Sequence, residues 1–169
     1  MGRFNRVNMD GLEQCYLALR EHTSVWSRTD DVLLSQALLM VVTESSHRVD
    51  ELAEYWQRCQ AETGFFSQLR GPLLNTIGVL GMVNAIEPET IVKRAAEIRG
   101  QFRQHGLLGY FDNLYAAGTS AFLALREGCS EEHIQRMKFI IDGWKEDHPW
   151  VTGSNDLFFS ALHAETGLD

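Results

Sequence analysis

One pattern recurs four times along the chain and limits what it can fold into. A charged, one-sided stretch leads to a break with bulky apolar residues. A small polar loop follows, and then a stretch that is apolar nearly all round. The breaks read Val25-Trp26-Ser27, Phe65-Phe66-Ser67, Leu107-Leu108-Gly109 and Trp150-Val151-Thr152. Their spacing of roughly 40 to 43 residues falls in the range of two-helix repeat units.

Apolar periodicity supports the helical reading of each half-unit. Leu12, Cys15, Tyr16 and Leu19 share one face of a stretch from about Asp10 to His22. Val49, Leu52, Ala53, Trp56 and Cys59 do so in the second unit, and Ile91, Ala95, Ile98 and Phe102 in the third. Ile134, Met137, Ile141 and Trp144 form the stripe of the fourth. The partner stretches, about Asp30–Thr43, Gly71–Ala85, Asp112–Arg126 and Asn155–Ala164, are apolar on most sides and are expected to be buried on most sides.

Local signals place the ends. Thr29 is a plausible N-cap, with Asp30 and Asp31 in the first turn, where carboxylates suit the helix dipole. Pro72 and Pro88 suit first helical turns, where a missing N–H costs little. Ser130 reads as an N-cap, and Gly64 and Gly106 as C-terminal stops. Gly78 and Gly81 fall inside a helix and point to close approach of a neighbour. The expected fold is all-α: four antiparallel helical hairpins, about eight helices, stacked as a short α/α solenoid or partial toroid. The units run from about 10–43, 47–85, 88–126 and 130–165, within one domain.

Composition narrows the function classes. A formal charge of −8 argues against a nucleic-acid binder, which needs a basic face. Lys93, Arg94, Arg99 and Arg103 fall on the expected solvent side of one helix. The longest apolar run, Ala37 to Val42, is too short to span a bilayer, and no apolar signal core opens the chain. Cys15, Cys59 and Cys129 lack zinc or redox spacing. Two of them lie in apolar stripes, which fits buried free thiols in a reducing cytoplasm.

At the breaks the chain resembles a family. Gly64-Phe65-Phe66-Ser67-Gln68-Leu69-Arg70, Gly106-Leu107 with Tyr115-Ala116-Ala117, and Trp150-Val151-Thr152-Gly153-Ser154-Asn155-Asp156 leading into Leu157 and Phe158 carry the likeness. They are similar to blocks in the bacterial proteins grouped as domain of unknown function 4003. The resemblance implies a cytosolic all-helical fold and no assignable activity. Pro72 departs from the family's pattern.

Chemistry-bearing residues are few. His22, His105 and His148 each end the first helix of a unit, where histidine favours the dipole and the last carbonyls. A metal cluster at converging helix ends is the competing reading, and it lacks the tight local spacing of metal sites. No cofactor is expected. No nucleophile elbow or phosphate-binding glycine loop occurs. The loops entering the second helices carry Asp30, Asp31, Arg70, Asp112, Asn113, Asn155 and Asp156. Capping explains the Asp and Asn positions. A ligand rim of Arg70, Asp30, Asp112 and Asp156, with Trp26 and Trp150, is the alternative.

Leu157, Phe158 and Leu162 of the last unit have no following unit to cover them, so an interface is expected there. The reading that follows is a non-enzymatic module that binds a protein or peptide partner or forms a homodimer. Its competitors are a small-molecule binder or enzyme with a pocket on the loop edge, and an acidic inhibitor of phage type.

Overall fold

A computed structural model describes residues 9–22, 30–63, 72–108, 114–126, 129–148 and 156–166. The described residues form eight α-helices and a 3₁₀ turn, with no strand among them. The helices are α1 (Met9–His22), α2 (Asp30–Val42), α3 (Val49–Glu62), α4 (Pro72–Val83), α5 (Pro88–Gln104), α6 (Leu114–Ala124), α7 (Glu131–Asp147) and α8 (Asp156–Thr166). Residues Ser46–Arg48 form the 3₁₀ turn before α3. All eight expected helices are present. No helix of the described residues is long and apolar enough to cross a membrane.

Two compact units divide the chain. One holds α1 to α4, and the other begins one residue into α5 and holds the rest. In the first, α1 packs on α2 and α3, and α4 packs on α2 and α3. Leu19, Leu33, Met40, Leu52 and Val79 are fully buried there. Cys15 and Cys59 are buried free thiols, as their stripes predict. Cys15 Sγ lies 3.8 Å from Met40 Sδ, a soft contact between packed helices.

Close packing has a local cause in Gly78 of α4. A Cβ built there would lie 2.6 Å from Trp56 Nε1 and 2.7 Å from Trp56 Cδ1. The missing side chain therefore seats the indole of α3. This is the close approach that a glycine inside a helix predicts.

In the second unit α8 packs on α6 and α7. Ile91, Phe102, Leu123, Ile134 and Met137 are buried. Phe122 and Phe158 meet edge to face at 5.4 Å, and Trp144 and His163 at 5.6 Å. Of the basic group on α5, Lys93 and Arg103 are exposed, while Arg94 donates to the Arg126 carbonyl at 3.0 Å.

Helix ends follow a common geometry. Gly106 ends α5 at φ +67°, and the Leu107 N–H bonds the Phe102 carbonyl at 2.9 Å. That is the left-handed stop expected of glycine. Glu44 after α2 and Ala85 after α4 adopt the same conformation at φ 56° and 53°. Ser45 N–H bonds Met40 O, and Ile86 N–H bonds Gly81 O, so both ends close in the same six-to-one way. Ser130 caps α7, its hydroxyl accepting from the His133 N–H at 3.1 Å. Thr29 lies outside the described residues.

One expectation is corrected. Helix α2, apolar nearly all round, is not buried on most sides. Leu34, Leu38 and Val42 are 50%, 41% and 64% exposed. They repeat at i, i+4 and i+8, so they share one face. Gln36, a polar residue of the same helix, is fully buried with Leu33, Ala37 and Met40. Neighbours cover only one side of α2, and composition does not reveal which.

Candidate functional site

The structure describes some of the residues singled out in the sequence. Arg70, Asp112, Trp26 and Trp150 lie outside the described residues, and so do three of the four breaks. Asp30 and Asp156 are the first residues of α2 and α8, in different units. Leu157 is buried within its unit, Phe158 and Leu162 are half-buried, and Phe159 is 50% exposed.

The histidines at helix ends have partners the sequence did not announce. His22 Nε2 lies 3.0 Å from an Asp50 carboxylate oxygen, which joins the end of α1 to the first turn of α3. His105 Nε2 lies 2.8 Å from Glu131, which joins the end of α5 to the first turn of α7. His148 is the C-cap of α7, and its N–H bonds the Trp144 carbonyl at 2.8 Å. Among the described residues no group of three or more His, Cys, Asp or Glu is placed to hold a metal ion.

A groove of about 400 Å³ opens between α1 and α2. Met9, Leu12 and Leu34 give it apolar walls, and Asp10, Glu13, Asp30 and Asp31 surround them. Tyr16 crosses the groove and donates its hydroxyl to Asp30 at 2.8 Å. That bond holds the phenol above its ordinary pKa; partial burial and the Asp30 charge add to the shift, and Arg20 opposes it. Met9 is 68% exposed, so the wall faces water. Leu17 shares a stripe with Met9 and Glu13 and is also exposed. Asp30 is thus the one residue of the expected ligand rim that lines a described groove.

A second cleft, of about 310 Å³, lies where α3 faces the turn after α4. Four of its charged groups, all but Glu54, are matched within the cleft. Arg58 pairs with Glu87 at 2.6 Å, Arg48 with Glu51 at 2.8 Å, and Tyr55 donates to the Ile86 carbonyl at 2.5 Å. The Arg48 bond holds the Glu51 carboxyl below its usual range. This cleft fastens a turn.

Sequence reasoning missed a cluster in the second unit. Cys129, His133, Arg126 and Glu165 come together from the start of α7, the turn after α6 and the end of α8. Arg126 and Glu165 form an ion pair. Burial, with a contribution from Glu165, pushes the Cys129 thiol up to about 11. Burial also pushes His133 below its ordinary value, with Glu165 opposing and Arg126 and Arg136 assisting. The His133 Nε2 is buried without a hydrogen-bond partner. A thiol held protonated is a weak nucleophile, so the cluster does not form an activated cysteine. Arg126, Cys129 and His133 are near in sequence, but Glu165, which links them, comes from α8 and is brought in by tertiary packing.

The described residues define an all-helical protein with an acid-edged apolar groove between its first two helices. Residues 15–169 match the family described as "Protein of unknown function (DUF4003)". The chain belongs to that family. No curated protein and no solved structure gives a match.

Proposed function

We propose that the chain is a helical module that binds a partner polypeptide through the open faces of α1 and α2. One observation carries this reading: α2 turns Leu34, Leu38 and Val42 to water while burying Gln36. Exposed apolar side chains aligned on one face, beside an apolar groove, favour docking over solvation. Covering them contributes about 25 cal/mol per Å² of apolar surface removed from water, so a few such leucines supply several kcal/mol.

The four-hairpin repeat is part of the same proposal. Matching helix ends at Glu44 and Ala85 support it, and so do the two histidine–carboxylate links, each from the end of one charged helix to the start of the next.

Selection of a displayed random-peptide library on the full chain tests the binding reading. Enriched peptides should lose at least roughly tenfold in affinity against Leu34→Ser/Leu38→Ser, a change of about 1.4 kcal/mol or more. They should bind Phe139→Ser, altered at an exposed aromatic of α7, as they bind the parent. Absence of enrichment, or binders indifferent to Leu34 and Leu38, would overturn it.

A further inference from the structure

We propose that the occupant of the α1–α2 groove is a cationic amphipathic helix, with apolar side chains on one face and Lys or Arg along its flanks. The inference rests on the docking reading above and names the partner's chemistry.

The exposed strip that runs on from Leu34 of the groove sets the apolar half of the match. Leu34, Leu38 and Val42 run along two turns of α2, about 12 Å of helix. Met9 and Leu12 face Leu34 across the groove. Such a strip suits a helix that presents side chains at i, i+4 and i+7, the mode in which amphipathic helices lie in grooves.

The rim sets the charge. Asp10, Glu13, Asp30 and Asp31 line the groove, and no Lys, Arg or His among the described residues lines it with them. Arg20 stands one turn beyond Tyr16 on α1, outside the lining. Asp10, Asp30 and Asp31 fall in first helical turns, next to the positive end of the helix dipole. None of the four forms an ion pair with a described residue. Cations flanking an apolar strip would find four carboxylates and, among the described lining residues, no like charge.

The same rim argues against other occupants. A second copy docked face to face would bring two acidic rims together on chains that each carry −8. Phosphate backbones and anionic lipid surfaces would be repelled. An acidic helix would leave the carboxylates desolvated without partners.

The test uses the full chain and a fluorescein-labelled Leu/Lys peptide of about 18 residues, or five turns, with Leu confined to one helical face. Fluorescence anisotropy should report saturable binding. Asp10→Asn/Glu13→Gln/Asp30→Asn/Asp31→Asn should weaken it at least roughly tenfold, and so should a roughly tenfold rise in salt. Glu97→Gln/Glu132→Gln/Glu146→Gln/Asp147→Asn removes the same charge from exposed sites in the other unit and should change binding less than about threefold. Leu34→Ser/Leu38→Ser keeps every carboxylate and should also weaken binding at least roughly tenfold, which holds the test open if the rim variant fails to fold.

Equal binding of a peptide with Leu and Lys in scrambled order would overturn the proposal, because net charge alone would then explain association. Equal loss in both four-site variants would overturn it for the same reason. Library peptides that need Leu34 and Leu38 but carry neutral or acidic flanks would overturn the cationic assignment and leave the docking surface standing. A dimer in light scattering that becomes monomeric on Leu34→Ser/Leu38→Ser would make a second copy the occupant and overturn the proposal.

Discussion

His105 Nε2 sits 2.8 Å from Glu131, so the last turn of α5 is fastened to the first turn of α7. His22 and Asp50 make the corresponding link at 3.0 Å from α1 to α3. Both carboxylates are well exposed, at 57% and 92% of their side chains, which limits what each contact contributes. A double-mutant cycle of His105→Ala and Glu131→Ala should give a coupling of about 0.2–1 kcal/mol in urea unfolding. A coupling of zero would mean the contact adds only geometry.

Gly78 separates two kinds of helical glycine. Gly78→Ala drives a methyl group into the Trp56 indole and should destabilise the chain by about 1–3 kcal/mol. Gly100 and Gly143 meet nothing within 4 Å of a built Cβ. Gly100→Ala and Gly143→Ala should each raise stability by about 0.5–1 kcal/mol. Denaturant titration of the three variants checks the opposite signs.

Gln36 buries both ends of its amide without a hydrogen-bond partner. An unpaired buried amide costs about 1–3 kcal/mol, so the similarly shaped but apolar Gln36→Met should unfold at higher temperature or denaturant than the parent. Loss of stability on this substitution would show that the amide is held by an internal water.

His133 makes stability depend on pH with a definite sign. Burial depresses its folded pKa below the unfolded value near 6.5. Below that value the unfolded chain takes up a proton that the folded chain resists. The contribution is therefore intact above the unfolded pKa and is lost as pH falls toward the lower folded pKa. His133→Gln should flatten the decline in unfolding free energy as pH drops below about 6.5. An unchanged slope would place the decline on other groups.

The helices were legible because their stripes repeat with the helical period. Leu52, Trp56 and Cys59, and Ile91, Ala95 and Phe102, are buried as their spacing requires. The orientation of α2 was not legible, since a helix with leucines on every side carries no signal for which side meets a neighbour. Glu44 and Ala85 hid their helix ends, because the left-handed stop is normally announced by glycine. Asp30 was legible as a first-turn carboxylate of α2, but its partner Tyr16 and the apolar wall of Met9, Leu12 and Leu34 arise from tertiary packing. The Cys129–His133–Glu165 cluster was invisible for the same reason.

The fit of Trp56 over Gly78 also has an evolutionary reading. A side chain at position 78 is excluded only while an indole occupies position 56. The two positions should therefore drift as a pair: relatives that keep tryptophan at the first are confined to glycine at the second, and relatives with a smaller residue there are released to use alanine or serine.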